Sequence, residues 1–223
     1  MVVVVWDDVR TRVAASYGRL GMPSWPDPHP WAGSPLDEEY SRVTAPERYA
    51  IVHARARAWT DALGELPGVE VETLLPGSFD DGTERFDRGV RITSSRTGTL
   101  PLLLLERDTP LAVLTVAVVE PRVAVGSQPG CGCDACDSGS ADLLDAIDEQ
   151  IGAVVAGPYV VLRRPGWHAD WHPEGGSSGG NSDGTSTLPD HTEVMRWCQR
   201  LAAREDVRLP SGTEAFVGHS WLG

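Results

Sequence analysis

Leu100-Pro101-Leu102-Leu103-Leu104-Leu105-Glu106-Arg107-Asp108-Thr109-Pro110-Leu111-Ala112-Val113-Leu114-Thr115-Val116-Ala117-Val118-Val119-Glu120 is the stretch on which the fold turns. It holds two runs of leucine and β-branched residues, 100–106 and 111–120, each of strand length and bounded by Asp, Thr and Pro. The connection is too short for a crossover helix, so the two strands are expected to be antiparallel neighbours. Working outward, 69–75 and 89–94 read as strands before this pair, and 123–125 extends the set after it. Short connections throughout favour a meander over βαβ units.

Helices flank this sheet. In 7–20, Val9, Val13, Ala14 and Tyr17 recur on one helical face. A Pro-rich connection, 23–35, carries Trp25 and Trp31. Thr44-Ala45-Pro46-Glu47 then reads as a capping box opening a helix that runs to about residue 63. Leu143, Leu144, Ile147, Ile151 and Val154 give 140–155 an apolar face, and the last helix is expected over 190–204, capped by Asp190. Residues 159–162 and 215–217 read as further strands. The expected fold is therefore α+β, a central, mainly antiparallel sheet of about five to six strands with three to four packed helices. The whole chain, 1–223, is read as one α+β domain. Its N-terminal part, 1–66, is helical; 67–223 carries the sheet and a cysteine cluster, with a flexible Gly/Ser loop at 173–188.

Composition excludes several functions. Nineteen basic residues against 32 acidic ones give a net charge of −13, with no basic run to meet phosphates, so neither nucleic acid nor an anionic membrane is expected as a partner. Every basic residue is arginine, as a GC-rich genome would produce. Without lysine, Schiff-base chemistry, a pyridoxal-phosphate anchor and a P-loop are all ruled out. No apolar run reaches the length of a bilayer span, and the N-terminus lacks the pattern of a secretory signal, which points to the cytoplasm. H-E-x-x-H, G-x-S-x-G and G-x-G-x-x-G motifs are absent.

Cys131-Gly132-Cys133-Asp134-Ala135-Cys136-Asp137 places three of the four cysteines within six residues. Zinc prefers soft tetrahedral donors, and short hooks bring two thiolates onto one ion at little cost in loop entropy. Cys131, Cys133 and Cys136 are therefore expected to bind zinc. Cys198 is the natural fourth ligand by chemistry, although a small buried core cysteine is the simpler reading of it. His168, His172, His191 and Asp134 compete for that place. A Cys133/Cys136 redox pair is a further reading, weakened by the negative charge of Asp134 and Asp137 beside the thiols.

Two other passages carry ligand-type residues. In Trp167-His168-Ala169-Asp170-Trp171-His172, an extended strand would put His168, Asp170 and His172 on one face, the donor set of a non-haem iron site, and the tryptophans on the other. A solvated edge strand explains the same pattern. His191-Thr192-Glu193 with Cys133 and Cys136 supplies the parts of a zinc deaminase, in reversed order, which makes Glu193 and His191 weak catalytic candidates. A helix cap at Asp190 accounts for Glu193 equally well.

Tyr40-Ser-Arg-Val-Thr-Ala-Pro-Glu-Arg-Tyr49, the cysteine passage, Gly166-Trp167-His168 and Leu209-Pro-Ser-Gly-Thr-Glu214 together resemble an uncharacterised family of actinobacterial proteins, a domain of unknown function. The resemblance implies a bacterial cytoplasmic protein and no activity. Three functional readings follow: a zinc-stabilised protein that binds another protein or a small ligand, a metal-dependent enzyme of hydrolase or deaminase type using the cluster, or an acidic immunity or antitoxin-type protein meeting a basic partner.

Overall fold

The computed structural model describes residues 5–30, 34–79, 84–180 and 189–222. Val2 to Val4, Trp31 and the second half of the Gly/Ser stretch, 181–188, lie outside the described residues. Helix α1 spans Trp6–Gly18 and α2 spans Ile51–Gly64. Strands β1 (Val69–Leu74), β2 (Gly77–Ser78), β3 (Arg85–Phe86), β4 (Arg88–Ser94), β5 (Leu102–Arg107), β6 (Val113–Val118) and β7 (Ala124–Gln128) follow. Helix α3 (Gly139–Ala156) leads to β8 (Tyr159–Arg164), β9 (Trp167–His172), β10 (Gly175–Gly180), α4 (His191–Ala202) and β11 (Glu214–Gly218). The α+β class expected from the sequence is what the chain adopts.

Residues 1–93 and 101–151 form one compact unit, and 94–100 with 152–223 form a second. The first is organised by a sheet in the order β1-β4-β5-β6-β7, in which β4 to β7 are an antiparallel meander. Its centre is the stretch that decided the fold: Leu102 faces Val118 and Leu104 faces Val116 in register, and every residue of β6 is buried. Successive strand side chains point to opposite faces, so continuous leucine and valine mark strands covered on both sides. Leu103, Leu105 and Ala117 pack with Phe86 on one of them. Helix α2 is buried along most of its length, and Trp59 stacks on Trp6 of α1 with ring centroids 5.4 Å apart.

A buried ion pair ties α2 to α3. Arg55 Nε donates to Asp148 Oδ1 at 2.8 Å, its Nη2 meets Oδ2, and Trp59 Nε1 donates to Oδ1 at 2.7 Å. The Arg55 guanidinium also sits over the Tyr17 ring at 5.3 Å.

In the second unit, β10-β9-β8-β11 make a separate antiparallel sheet. The five-stranded sheet is the central antiparallel sheet expected, while 159–162 and 215–217, read as further strands, pair with each other in this separate one. Helix α4 covers one face, where Val194 and Cys198 pack with Val160, Leu162, Trp167 and Ala169.

Two local expectations also change. Residues 175–180 are strand β10, not loop, and β9 is therefore internal to its sheet and not an edge. Glycine serves here because a Cβ on Gly176 would meet the Asp170 carbonyl at 2.6 Å and Met195 Sδ at 2.8 Å, so its absence lets α4 seat closely. The capping box at Thr44 does not form. A 3-10 turn, Pro46–Ala50, precedes α2, its N-cap is Ala45 at φ 50°, and no side chain caps it. The Thr44 hydroxyl is used elsewhere.

Candidate metal centre

The cysteine loop is shaped by two glycines and one short turn. After Cys133 a 3-10 turn, Asp134–Cys136, is closed by the Cys136 amide donating to the Cys133 carbonyl at 3.0 Å. Gly132 lies against Leu111 so closely that any side chain would collide with it. Gly139 leaves the loop at φ +90°, and a Cβ there would stand 2.6 Å from the Asp27 amide nitrogen.

This shape gathers the thiols. The sulfurs of Cys131, Cys133 and Cys136 all lie within 4.8 Å of one another. Cys131 and Cys133 approach to 3.0 Å, and the Cys133 amide donates to Cys131 Sγ at 3.5 Å. A disulfide would need about 2.05 Å, and all four cysteines are free. A tetrahedral zinc with Zn–S bonds of about 2.3 Å spaces its thiolates about 3.8 Å apart. That spacing falls inside the observed range. Cys133 is buried, whereas Cys131 and Cys136 are exposed.

The two acidic residues of the motif do not crowd the sulfurs with free charge, because each carboxylate is clamped. Asp134 accepts from Arg42 Nε at 2.6 Å, and from the Thr44 amide and hydroxyl at 2.7 Å each. Its own amide donates to the Arg42 carbonyl at 2.8 Å. Asp137 accepts from Arg48 Nη2 at 2.5 Å, from Trp25 Nε1 at 3.0 Å and from the Gly139 amide at 2.9 Å. Arg48 in turn lies over the Trp25 ring at 4.7 Å. Just beyond, Ser140 exchanges hydrogen bonds with the Trp25 backbone, its amide and hydroxyl both donating to the Trp25 carbonyl at 3.0 Å. The loop is thus gripped by 24–29 on one side and 42–48 on the other. This is why Thr44 is missing from the helix cap.

The Arg42 hydrogen bond, helped by both Thr44 donors, holds the Asp134 carboxyl down at about 2 from an ordinary 3.8. A depressed folded-state value means that the stabilisation is complete above the ordinary value and is lost as pH falls through about 2. Acid titration of the chain without added metal is therefore expected to show the strap, 24–29 and 42–48, loosening in that window. In Asp134→Asn the loosening is already present at neutral pH. Equal strap protection in the two proteins at pH 7, read by hydrogen exchange, would refute the clamp.

The remaining candidates sit in the second unit. Cys198 is fully buried in the α4 cluster with Val160, Leu162 and Trp167, and burial pushes its thiol up to about 12. His168, Asp170 and His172 share a face of β9 but do not converge: Asp170 accepts from Ser177 Oγ at 2.5 Å, and His168 lies over Gly179. Residues 168 and 172 are four positions apart on one strand, about 13 Å, too far to share an ion. His191 Nδ1 meets Ser178 Oγ at 2.8 Å. At Glu193 it is the amide that donates to the capping Asp190 carboxylate, at 3.1 Å, as the sequence suggested. Among the described residues, the potential ligands that come together are the three thiols of the loop.

Sequence reasoning missed the clamp. Trp25, Arg42 and Arg48 occupy no recognisable spacing relative to the cysteines. One signal was present: the passage 40–49, which carries part of the family resemblance, supplies Arg42, Thr44 and Arg48. A second polar cluster was also missed. His53 donates from Nε2 to the Val113 carbonyl at 3.0 Å, while its Nδ1 receives Arg88 Nη2 at 3.2 Å. Arg88 also binds Glu106 at 2.5 Å and both oxygens of Asp108. Its donors and acceptors satisfy one another.

The model of a family of unknown function, DUF6226, matches residues 13–222. The chain belongs to that family. The match takes in the strap, the cysteine loop and both units, so the clamp lies wholly within what the family model covers. No curated protein and no solved structure gives a match. Among the described residues no helix is long and apolar enough to cross a membrane.

Proposed function

We propose that this chain is a zinc protein in which Cys131, Cys133 and Cys136 hold a structural ion, and that it works by binding another protein or a small ligand. The observation that carries the reading is three sulfurs within 4.8 Å on a loop whose neighbouring carboxylates are already neutralised by arginine. Thiolate ligands select zinc among the common divalent ions. The Cys133 amide also donates to Cys131 Sγ, a contact that fixes this sulfur beside its neighbour. Clustered free thiols fit a reducing compartment, which agrees with a cytoplasmic location. The charge of −13 suits a basic partner surface.

One observation favours a second reading. Cys131 and Cys136 are exposed, so a fourth position open to water would suit a catalytic ion.

Elemental analysis of protein purified without a metal-binding tag tests the shared claim. About one zinc per chain is expected, as one such site holds. Finding no metal, with Cys131, Cys133 and Cys136 all reacting freely with a thiol reagent in the native protein, would remove both readings.

A further inference from the structure

Three thiolates leave one corner of a tetrahedral ion without a ligand, and the residues around the loop differ sharply in their freedom to fill it. Asp134 and Asp137 are adjacent by sequence, yet their carboxylates are taken up by Arg42 and Thr44, and by Arg48, Trp25 and Gly139. His29 is different. It belongs to the strap gripped against the loop, its backbone amide held by Asp27 Oδ1 at 2.7 Å. Its ring nitrogen Nε2 lies 3.1 Å from the carbonyl oxygen of Asp134, the residue directly after Cys133. A carbonyl only accepts, so Nε2 carries the hydrogen, and in the neutral ring the lone pair is then on Nδ1. Metal-binding histidines show this arrangement, donating one ring N–H to a carbonyl and presenting the other nitrogen to the ion.

We infer that His29 is the fourth ligand of the Cys131/Cys133/Cys136 site, closing it as a three-sulfur, one-nitrogen centre. The inference rests on the zinc reading above and deepens it. His29 Nδ1 stands outside the 4.8 Å group of sulfurs, so ligation draws the loop and the ring together as the thiolates close on an ion. The loop is also held by Trp25, through Asp137 and Ser140, and by Arg42, through Asp134. Cys198 offers the opposite case. Its thiol is enclosed by apolar side chains, where loss of the proton is disfavoured, and a metal ligand must lose it. With a neutral imidazole the centre carries a single net negative charge, one less than four thiolates would give.

Cobalt(II) reports both ligand type and number through its visible spectrum, with no activity required. In the full-length protein, cobalt is expected to give the absorption of a tetrahedral centre with three sulfurs and one nitrogen. His29→Ala should shift the ligand-field bands and weaken zinc binding by at least about tenfold, the lower end of what losing even an outer partner costs. His29→Cys should restore tight binding with the added sulfur visible in the charge-transfer region, which shows that the strap can deliver a ligand at that position. Cys198→Ser should change neither spectrum nor affinity. A His29→Ala protein with the wild-type spectrum and affinity would overturn the inference, as would loss of a sulfur contribution in Cys198→Ser. Failure of the wild-type protein to bind cobalt or zinc at all would instead overturn the zinc reading, and this inference with it.

Discussion

Asp148→Ala is expected to destabilise the protein by about 3–5 kcal/mol, the cost of leaving a buried charge without its partner. The residue is 5% exposed and accepts from three donors, two on Arg55 and one on Trp59. Removing the carboxylate strands a buried guanidinium over the Tyr17 ring. It also leaves the Trp59 N–H unpaired in the core, which adds the penalty of an unsatisfied donor. For a chain of this length each kcal/mol moves the melting temperature by about 2–4 °C, so a fall of about 6–20 °C should be seen by calorimetry. A paired replacement, Arg55→Leu with Asp148→Leu, separates the cause. Apolar side chains of similar volume in place of a buried ion pair are often neutral or better, so the double variant should recover much of the loss. A single variant within 1 kcal/mol of wild type would mean that the pair bears little of the packing between α2 and α3.

What could be read in the sequence, and what could not, follows from how local each signal is. The central meander was legible because β5 and β6 are continuous apolar runs with a short connection, and no long-range partner is needed to recognise them. The helices were legible for the same reason: the apolar face of α3 and the Asp190 cap of α4 are written within a few turns. The second sheet was not, since β8 and β11 pair across about fifty residues and nothing in either strand names the other. The Gly/Ser strand β10 failed for a related cause. Its composition reads as loop, and only the neighbours, Asp170 and Met195, explain why residues without side chains belong there. The cysteine loop shows both sides at once. Three ligands in six residues are a local motif, whereas Arg42, Thr44, Arg48 and Trp25 reach it from roughly ninety to over a hundred residues away. Thr44 and Glu47 fit a capping pattern perfectly well, and a charge-assisted contact with Asp134 outcompetes the cap.

Removal of the metal separates a structural from a catalytic ion, and the clamp says where its effect should be felt. A structural site joins segments, so its binding free energy is folding free energy. With free zinc at a thousand times the dissociation constant the stabilisation is about 4 kcal/mol, or about 8–16 °C in melting temperature at this chain length. Chelation, or Cys133→Ser at the buried thiol, should therefore lower the melting temperature by about that amount. The consequence should be local before it is global. Asp134 and Asp137 hold 24–29 and 42–48 only while the loop keeps its shape, and that shape depends on one 3-10 turn and two glycines. Once the thiolates lose their common ion, the loop can open and free Arg42 and Arg48 from their carboxylates. An arginine-directed protease should then cut after these two residues faster than in the zinc-loaded protein, while β5 and β6, buried in the sheet, stay protected. An open catalytic ion behaves differently, because a site completed by water ties down less of the chain and the protein survives its loss. If the chelated protein keeps its melting temperature and its resistance at Arg42 and Arg48, and simply takes zinc back, the structural reading is wrong, and the exposed Cys131 and Cys136 would then mark the open face of a reaction centre.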